Sequence, residues 1–539
     1  MPAFVSTPTA SSLLFIGRSL NHIRVKGISS TSCPELDLLS SHLQQLSTLK
    51  LPINSANFSR VVASIRLSLS QTTLQKLLPL SRVIEILSLL REFFLLGRGE
   101  FAIALITEAD DKIRSRWRRS DNLAYEKRDG LGNIVVKEGE VSAILSRTWA
   151  AMSSLQGENE EDQDEDELLE LARDLVQLIL VKETSTPASK GNSSPQAASK
   201  IALTPFRQLL LSVPVSLTLN IPSPLDLFLT PGDVQSYSSI NAYLLSIHRA
   251  HLRLTDLWKI TSLRRDHPAP PGPPYGSSTV GRSKVLAIRE RAKERSEAMR
   301  SVWATSSAAV FFLGETEAYL QGEVVQGMWL GFKNWLIGET ESRPTSSKSV
   351  ADDEEDIWLK AGREPTTPAS ISNTHDPQSL ADAHRRYLSA LATSLLLTTS
   401  AFTDPLYHLL QQIDHLVALV HRVHSIWQSL DLEADEGVVD AFSDFHKEEK
   451  DVKEQLVVIA ERVKSAIEEL VKSLRDIDQE KEGWDNGFAE LVLVEEGAYV
   501  PAKVGRADRL LMKLDFGGWF DNGKREGGDL SGEDESDNE

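Results

Sequence analysis

Apolar residues recur three and four positions apart along most of the chain, the spacing of one face of an α-helix. The clearest early case is Leu80, Val83, Ile84, Leu87 and Leu90. Pro79 stands just before it, where the first helical turn needs no N–H donor. Gly97 and Gly99 interrupt the pattern, and the next run predicts a second helix from Phe101 to about Trp117. The two together read as a helix hairpin, within a helical stretch that extends from Leu13 to Trp149. Leu168–Leu180 reads as another helix, whereas Val213–Leu219 alternates polar and apolar residues and reads as a short extended segment. From Asp233 to Trp258 the helical stripe returns, carried by Ile240, Tyr243, Leu244, Ile247, Leu254 and Trp258. A long helix is expected from about Lys284 to Trp335, then three more over Leu380–Ala401, Pro405–Leu430 and about Val452–Ile477, with Pro405 marking the break between the first two. Val452, Leu456, Ile459, Val463, Ile467, Leu470 and Leu474 imitate a heptad repeat. The run lasts only about three heptads, which fits a core-facing helix better than a coiled coil. A last apolar segment spans Ala507–Phe520.

Polar stretches divide these elements. Gln156–Glu167 is an acidic break, and Lys182–Lys200, rich in Ser, Thr, Pro and Ala, is the best domain boundary in the chain. Leu203–Leu229 holds Pro205, Pro214, Pro222 and Pro224, which an unkinked helix excludes. His267–Ser283 is a Pro/Gly/Ser loop, and Gly338–Gln378 is a second polar, acidic insertion. No fixed-period repeat stands out, which disfavours a solenoid. The expected fold is all-α: elongated, stacked helical bundles in two domains joined by an acidic, Ser/Pro-rich linker. The boundaries expected are 1–155, 156–200 for the acidic helix and disordered linker, 201–520, and a disordered acidic tail over 521–539.

Composition narrows the class. Of 539 residues 41% are hydrophobic and only 6% aromatic, so Leu, Val, Ile and Ala must fill the core, as in helix-on-helix packing. A net charge of -19 argues against a general nucleic-acid binder. The acidity is local: nine of the thirteen residues Glu158–Glu170, and six of the last eleven, Asp529–Glu539, are carboxylates. Such segments are most simply solvated and self-repelling. One cysteine, Cys33, excludes an intrachain disulfide and a Cys-based zinc cluster, with a reducing compartment as the default. The opening residues lack a signal-peptide pattern, and no apolar run reaches the length of about 18 residues that spans a bilayer. A soluble intracellular protein without membrane insertion is expected.

Catalytic chemistry finds little support. Gly97-Arg98-Gly99 follows a helix rather than a strand and lacks a Gly-Lys-Ser/Thr ending, so it reads as a turn and not a phosphate cradle. His408, His415, His421 and His424 share one predicted helix, but only His421 and His424 share a face, and no Cys or carboxylate motif completes a zinc site. Neither a Gly-x-Ser-x-Gly elbow nor a His-Glu-x-x-His helix is present. Lys112, Arg114, Arg116, Arg118 and Arg119 around Trp117 fit two readings, a solvated helix end or a surface for an acidic partner or nucleic acid. Arg282–Arg300 alternates sign and reads as a salt-bridged exposed face. No catalytic, cofactor-binding or metal-ligating residue is assigned. From the residues alone, the chain is a large soluble helical scaffold.

Several segments resemble the gamma-tubulin complex component family, which includes the fungal spindle pole body components. LLFIGRSLNHIR, Leu13–Arg24, is similar to a helix start of that family. Phe94, Leu95, Leu96, Gly97, Arg98 and Gly99 match its aromatic-Leu-Leu-Gly-basic-Gly turn. SPLDLFLTP, Ser223–Pro231, resembles its Trp-Pro-Leu segment with Ser223 in place of Trp, and Tyr243, Leu244, Leu245, Arg249 and Trp258 match the helix that follows. FFLGETEAYLQGEVV, Phe311–Val325, resembles the family's Tyr-Leu, acidic-Val helix. Ala383, His384, Tyr387 and Leu388 match Ala-His-x-x-Tyr-Leu. LLMKLDFGGWF, Leu510–Phe520, matches the closing segment, with Trp519 and Phe520 replacing tyrosines.

The order of these matches across nearly the whole chain, with spacing most like the family's short fourth member, is what makes the resemblance specific. It implies a non-enzymatic scaffold without cofactors that binds gamma-tubulin through its second half and neighbouring complex components, side by side, through its first. The implied setting is the cytoplasm and cytoskeleton, at the microtubule-organising centre or spindle pole body, in microtubule nucleation and mitotic spindle assembly. Met1 falls close to a segment that lies late in the family's first domain, so earlier helices of that domain are expected to be lacking. The resemblance places the gamma-tubulin contact on Phe311–Val325, Leu380–Leu391 and Leu510–Phe520, with Glu315, Arg385, Arg386 and Lys513 as the candidate contact residues. The competing class is a helical tethering or trafficking scaffold for another protein. Thr186, Ser194 and Thr367 precede prolines in the linkers and are candidate phosphorylation sites.

Overall fold

The computed structural model describes residues 5–27, 34–49, 54–69, 79–117, 137–155, 163–181, 204–222, 224–260, 278–338, 377–436, 444–484, 499–502 and 507–516. Residues 182–200, 339–376 and 521–539, which hold most of the expected linkers and tail, lie outside them. In chain order the elements are α1 (Thr7–Gly27), α2 (Pro34–Ser47), α3 (Ser55–Leu69), α4 (Leu80–Leu89) with a π-helical turn Leu90–Phe94, α5 (Gly99–Trp117), α6 (Glu138–Leu155), α7 (Gln163–Leu175), β1 (Val176–Leu180) and β2 (Val215–Leu219). There follow α8 (Pro231–Asp256), α9 (Thr279–Ala318), a second π-helical stretch Tyr319–Val325, α10 (Gln326–Ile337), α11 (Pro377–Ser394), α12 (Ser400–Glu436), α13 (Phe445–Trp484) and α14 (Asp508–Phe516). Among the described residues the fold is helical apart from a two-stranded antiparallel ribbon, in which Val176 faces Leu219 and Leu180 faces Val215. No helix among the described residues is long and apolar enough to cross a membrane.

Three expectations need correction. The helix expected over Leu168–Leu180 stops at Leu175, and its last five residues form β1. Val176 and Leu178 are buried while Gln177 and Ile179 are exposed, so the period has switched to two; pairing with β2 outweighs a local pattern that fits either state. The break before α12 lies at Leu395–Thr399, where Leu396 takes a left-handed φ of 59°, and not at Pro405. Pro405 sits inside α12 as its sixth residue, where its missing N–H forgoes the bond to the Ala401 carbonyl and the helix continues through it. Finally, the face Arg282–Arg300 is not wholly turned to solvent: Arg291 and Arg295 reach Asp431 of α12 at 3.1 and 2.8 Å.

The chain divides into two compact units. Unit 1 comprises Met1–Arg249, Leu320–Thr403 and Leu491–Val504, and unit 2 comprises Ala250–Tyr319, Asp404–Glu490 and Gly505–Glu539. Within unit 1, α8 is started by a capping box: Thr230 N–H donates to Asp233 Oδ2 at 2.9 Å, and Pro231 supplies the first helical residue. The helix is then buried on nearly every side, with Tyr237, Ile240, Tyr243, Leu244 and Ile247 all almost inaccessible. Its Asn241 amide donates to the carbonyls of Phe93 and Phe94 at 3.3 and 3.0 Å. Those two carbonyls are freed because α4 ends in the wide π turn, with Gly97 N–H bonded to Arg91 O at 3.1 Å and Arg98 N–H to Glu92 O at 2.8 Å. Gly97 is required there by space: a Cβ would lie 2.4 Å from Arg91 Nη1 and 2.9 Å from Arg91 O. Past the turn, Phe93, Phe101 and Trp149 pack ring on ring at 4.9–5.5 Å and join the turn to α5 and α6.

Unit 2 is built on α13. All seven residues of its heptad-like run are buried, and the helix packs against α9 and α14. Arg253 and Asp414, both buried, pair at 2.5 Å. Buried ion pairs of this kind cost little when intact and several kcal/mol when one partner is removed.

Two substitutions test this architecture by chemical denaturation. Asn241→Ala leaves two buried carbonyls without a donor and is expected to destabilise by about 1–3 kcal/mol; an unchanged midpoint would contradict the capping role. Leu470→Ala empties a fully buried position of α13 and is expected to cost about 2–5 kcal/mol.

Candidate partner-binding surface

The three segments named from the sequence each turn an apolar face inward and a polar edge outward. On the first, Phe312, Leu313, Thr316, Tyr319, Leu320, Val324 and Val325 are buried, and Glu315 is half-exposed. On α11, Ala383, His384, Tyr387, Leu388 and Leu391 are buried, leaving Asp382, Arg386 and Ser389 exposed and Arg385 half-exposed. On α14, Leu510, Leu511 and Leu514 are buried, and Met512, Lys513 and Asp515 are exposed. Residues 517–520, with Trp519 and Phe520, lie outside the described part.

Two of the four candidate residues meet each other. Lys513 Nζ lies 3.5 Å from Glu315 Oε2, joining α14 to α9 within unit 2. Beside it Arg475 of α13 reaches Asp515 at 2.7 Å. The other two belong to unit 1. Arg385 pairs along its own helix with Asp382 at 3.2 Å, whereas Arg386 is exposed with no ion pair among the described residues. Exposed pairs of this kind contribute about 0–1 kcal/mol each.

Beneath that edge of α11 lies a buried aromatic cluster. Tyr387 stacks on Phe332 of α10 at 4.7 Å, and Tyr499 meets the same ring edge-on at 5.2 Å. His384 packs against Phe228 at 5.1 Å, and its Nε2 lies 3.0 Å from the Tyr237 hydroxyl of α8. Burial drives the His384 pKa down from 6.5 to about 4; Asp233 opposes the shift and Arg385 adds to it. The imidazole is therefore neutral near pH 7. Burial also holds the hydroxyls of Tyr237 and Tyr387 well above the usual phenol range and pushes Tyr499 up to about 12. These groups are uncharged packing residues with polar tips.

The four histidines of α12 are placed as its amphipathic pattern dictates: His408, His415 and His421 are exposed and His424 is half-buried. Among the described residues no group of three or more His, Cys, Asp or Glu could hold a metal ion. In the basic run near Trp117, Lys112 pairs with Glu140 of α6 at 3.4 Å; the side chains of Arg114, Arg116, Arg118 and Arg119 lie outside the described part.

A groove in unit 2 was only faintly marked in the sequence. Arg291, Glu294 and Arg295 of α9, Leu430 and Glu433 of α12, and His446 and Glu449 of α13 are among the residues lining an open groove of about 430 Å³ in unit 2. At its base Arg295 lies over the Trp427 ring at 5.2 Å, with Lys453 5.8 Å from the same ring. The Trp427 indole N–H donates to Glu449 at 2.6 Å. Burial favours the protonated Glu449, but hydrogen bonds from Lys453 and Trp427 outweigh it and hold the carboxyl below its ordinary pKa. Only Arg291 and Arg295, four apart and opposite a distant acid, contribute a pattern, and a sequence does not show which acid they face.

Comparison with known proteins bears on this arrangement as a whole. The family model "Gamma tubulin complex component C-terminal" matches residues 84–520. "Gamma-tubulin complex component 4" of Homo sapiens is 21% identical over 270 residues, 49% of this chain and 36% of that protein. The Mus musculus protein of the same name is 20% identical over 270 residues, with the same shares. The match thus spans about a third of the length of these curated relatives.

Buried His384 gives the stability of unit 1 a pH dependence that can be measured. Its folded pKa lies below its unfolded value, so the unfolded state takes up the proton first. The contribution is fully present above pH 6.5 and is lost as the pH falls toward 4. Its full size is about 3 kcal/mol. Denaturation midpoints of the wild type should fall over that range, and His384→Gln should flatten the dependence. Parallel curves for the two proteins would refute the assignment.

Proposed function

The chain belongs to the gamma-tubulin complex component family, and we propose that it is a non-enzymatic helical scaffold that holds gamma-tubulin for microtubule nucleation at the microtubule-organising centre. The observation that supports this most is the extent of the family match, which runs from the helix before the Phe94–Gly99 turn through the closing segment at Phe520. In this reading the role of the chain is templating. Each scaffold presents one gamma-tubulin at a fixed height and angle, neighbouring components set the array, and an incoming tubulin meets a preorganised surface, which lowers the entropic cost of nucleation. Side-by-side contact with other components falls to residues 1–155 and gamma-tubulin binding to residues 201–520.

Contact falls to the outward edges of the three helical segments, since their apolar faces are already packed. Arg386, exposed and without an ion pair among the described residues, offers positive charge to a carboxylate-bearing partner, beside Arg385, which is paired with Asp382. Glu315 and Lys513 offer a neutral pair.

Size-exclusion chromatography of the full chain with gamma-tubulin, in moderate salt, tests the proposal. One-to-one co-elution is expected. Arg385→Glu with Arg386→Glu should weaken it about tenfold without loss of helical circular dichroism, since reversing charge at an interface rim costs about 1–2 kcal/mol. Separate elution of two folded proteins would overturn the scaffold reading, and unchanged affinity of the double variant would remove α11 from the contact.

A further inference from the structure

α14 is nine residues long, below the length of about 12–15 residues at which an isolated helix becomes even marginal in water. Its helical state therefore comes from what it packs on. Leu510, Leu511 and Leu514 are buried against the rest of unit 2, and the element contacts only α9 and α13 extensively among the described helices. Ion pairs tie it to both: Lys513 to Glu315 of α9 at 3.5 Å, and Asp515 to Arg475 of α13 at 2.7 Å. Side-chain exposures of 48% and 31% in the first pair, and 52% and 43% in the second, leave both open to screening by salt. By contrast α13 is anchored by seven buried residues over its run, and the Arg253–Asp414 pair is buried.

We propose that α14 is a latch: the element of unit 2 that detaches first, through a local opening that ionic strength controls, baring the apolar surface of α9 and α13 beneath it and freeing Glu315. Local openings of this kind fall to elements with few buried contacts and exposed tethers. A consequence follows for a partner, and it rests on the scaffold reading. A partner cation that takes Glu315, or a partner carboxylate that takes Lys513, removes the tether between α14 and α9. Partner engagement and latch release then favour one another, because coupling between two equilibria is reciprocal.

Amide hydrogen exchange of the full chain, at about 0.05 M and about 0.5 M salt, reads the opening directly. The amides of Leu510–Asp515 are expected to exchange about tenfold faster at high salt, while those of Ile459–Leu474 stay unchanged. Glu315→Gln should bring part of that acceleration to low salt, since the Asp515–Arg475 pair remains, and Glu315→Lys combined with Lys513→Glu should restore protection. Equal protection of α14 and α13, indifferent to salt and to Glu315→Gln, would overturn the latch, since it would mean that α14 opens only with the whole unit. Repeating the measurement with gamma-tubulin separates the two readings. Faster exchange at α14 in the complex supports the coupling, a complex with unaltered exchange refutes it, and the lack of any complex counts against the scaffold reading while leaving the salt result intact.

Discussion

Helix α8 has almost no face toward water in unit 1, and that constraint governs what surrounds it. A helix buried all round has nowhere to put an unpaired polar side chain, because desolvating such a group without a partner costs roughly 1–3 kcal/mol. Four polar residues of α8 accordingly reach defined atoms on other elements, while Ser236 and Ser246 bond back to carbonyls of their own helix. Asn241 takes the Phe93 and Phe94 carbonyls, and Ser238 donates to the Leu217 carbonyl of β2. Arg249 pairs with Asp110 of α5, and Tyr237 meets His384 of α11. The π turn, the ribbon, α5 and α11 are thus positioned by four side chains of one helix. The point where that helix begins is fixed in turn by the Thr230–Asp233 box.

What could be read from the sequence follows from the same physics. The α13 run and the α8 stripe were legible because burial tracks helical period, and the extended reading of Val213–Leu219 because a strand tracks a period of two. β1 was not legible: Val-Gln-Leu-Ile-Leu satisfies either pattern, and the choice rests on a partner strand distant in sequence. Pro405 is no guide to the break, because a helix that loses one backbone bond at a proline can continue when the rest of its length is packed. Charges were legible as exposed, but not as pairs. Glu315 and Lys513 could each be named as charged neighbours of a packed face, whereas their meeting depends on α14 lying across α9.

The residues that carry the family resemblance are mostly interior ones. Phe94, Leu95, Ala383, His384, Tyr387, Leu388, Leu510 and Leu514 are all buried. A match carried by such residues reports which fold the chain adopts, since a change at a close-packed site disturbs every neighbour. It speaks less directly to a partner, which meets the exposed residues between them. The fold is therefore better determined by the resemblance than the contact is, and any contact has to be argued from edges such as Asp382–Arg386 rather than from the motifs.

Those edges carry little concentrated charge. Glu315 is neutralised by Lys513, Asp515 by Arg475, and Arg385 by Asp382, which leaves Arg386 as the candidate residue without an ion pair among the described residues. Exposed, mutually paired charges add little affinity, and burying such a pair in an interface brings a desolvation cost that its attraction barely offsets. In the proposed scaffold role, edges like these would act through shape held rigidly rather than through a few strong contacts. Rigidity in turn depends on the interior: on α13 seated by its seven apolar residues, and on α11 held by Tyr387 against Phe332. In the proposed role, then, substitutions deep in the core would alter the angle at which a partner is presented before they altered whether it binds. A templating scaffold is more sensitive to that angle than an ordinary binding protein would be.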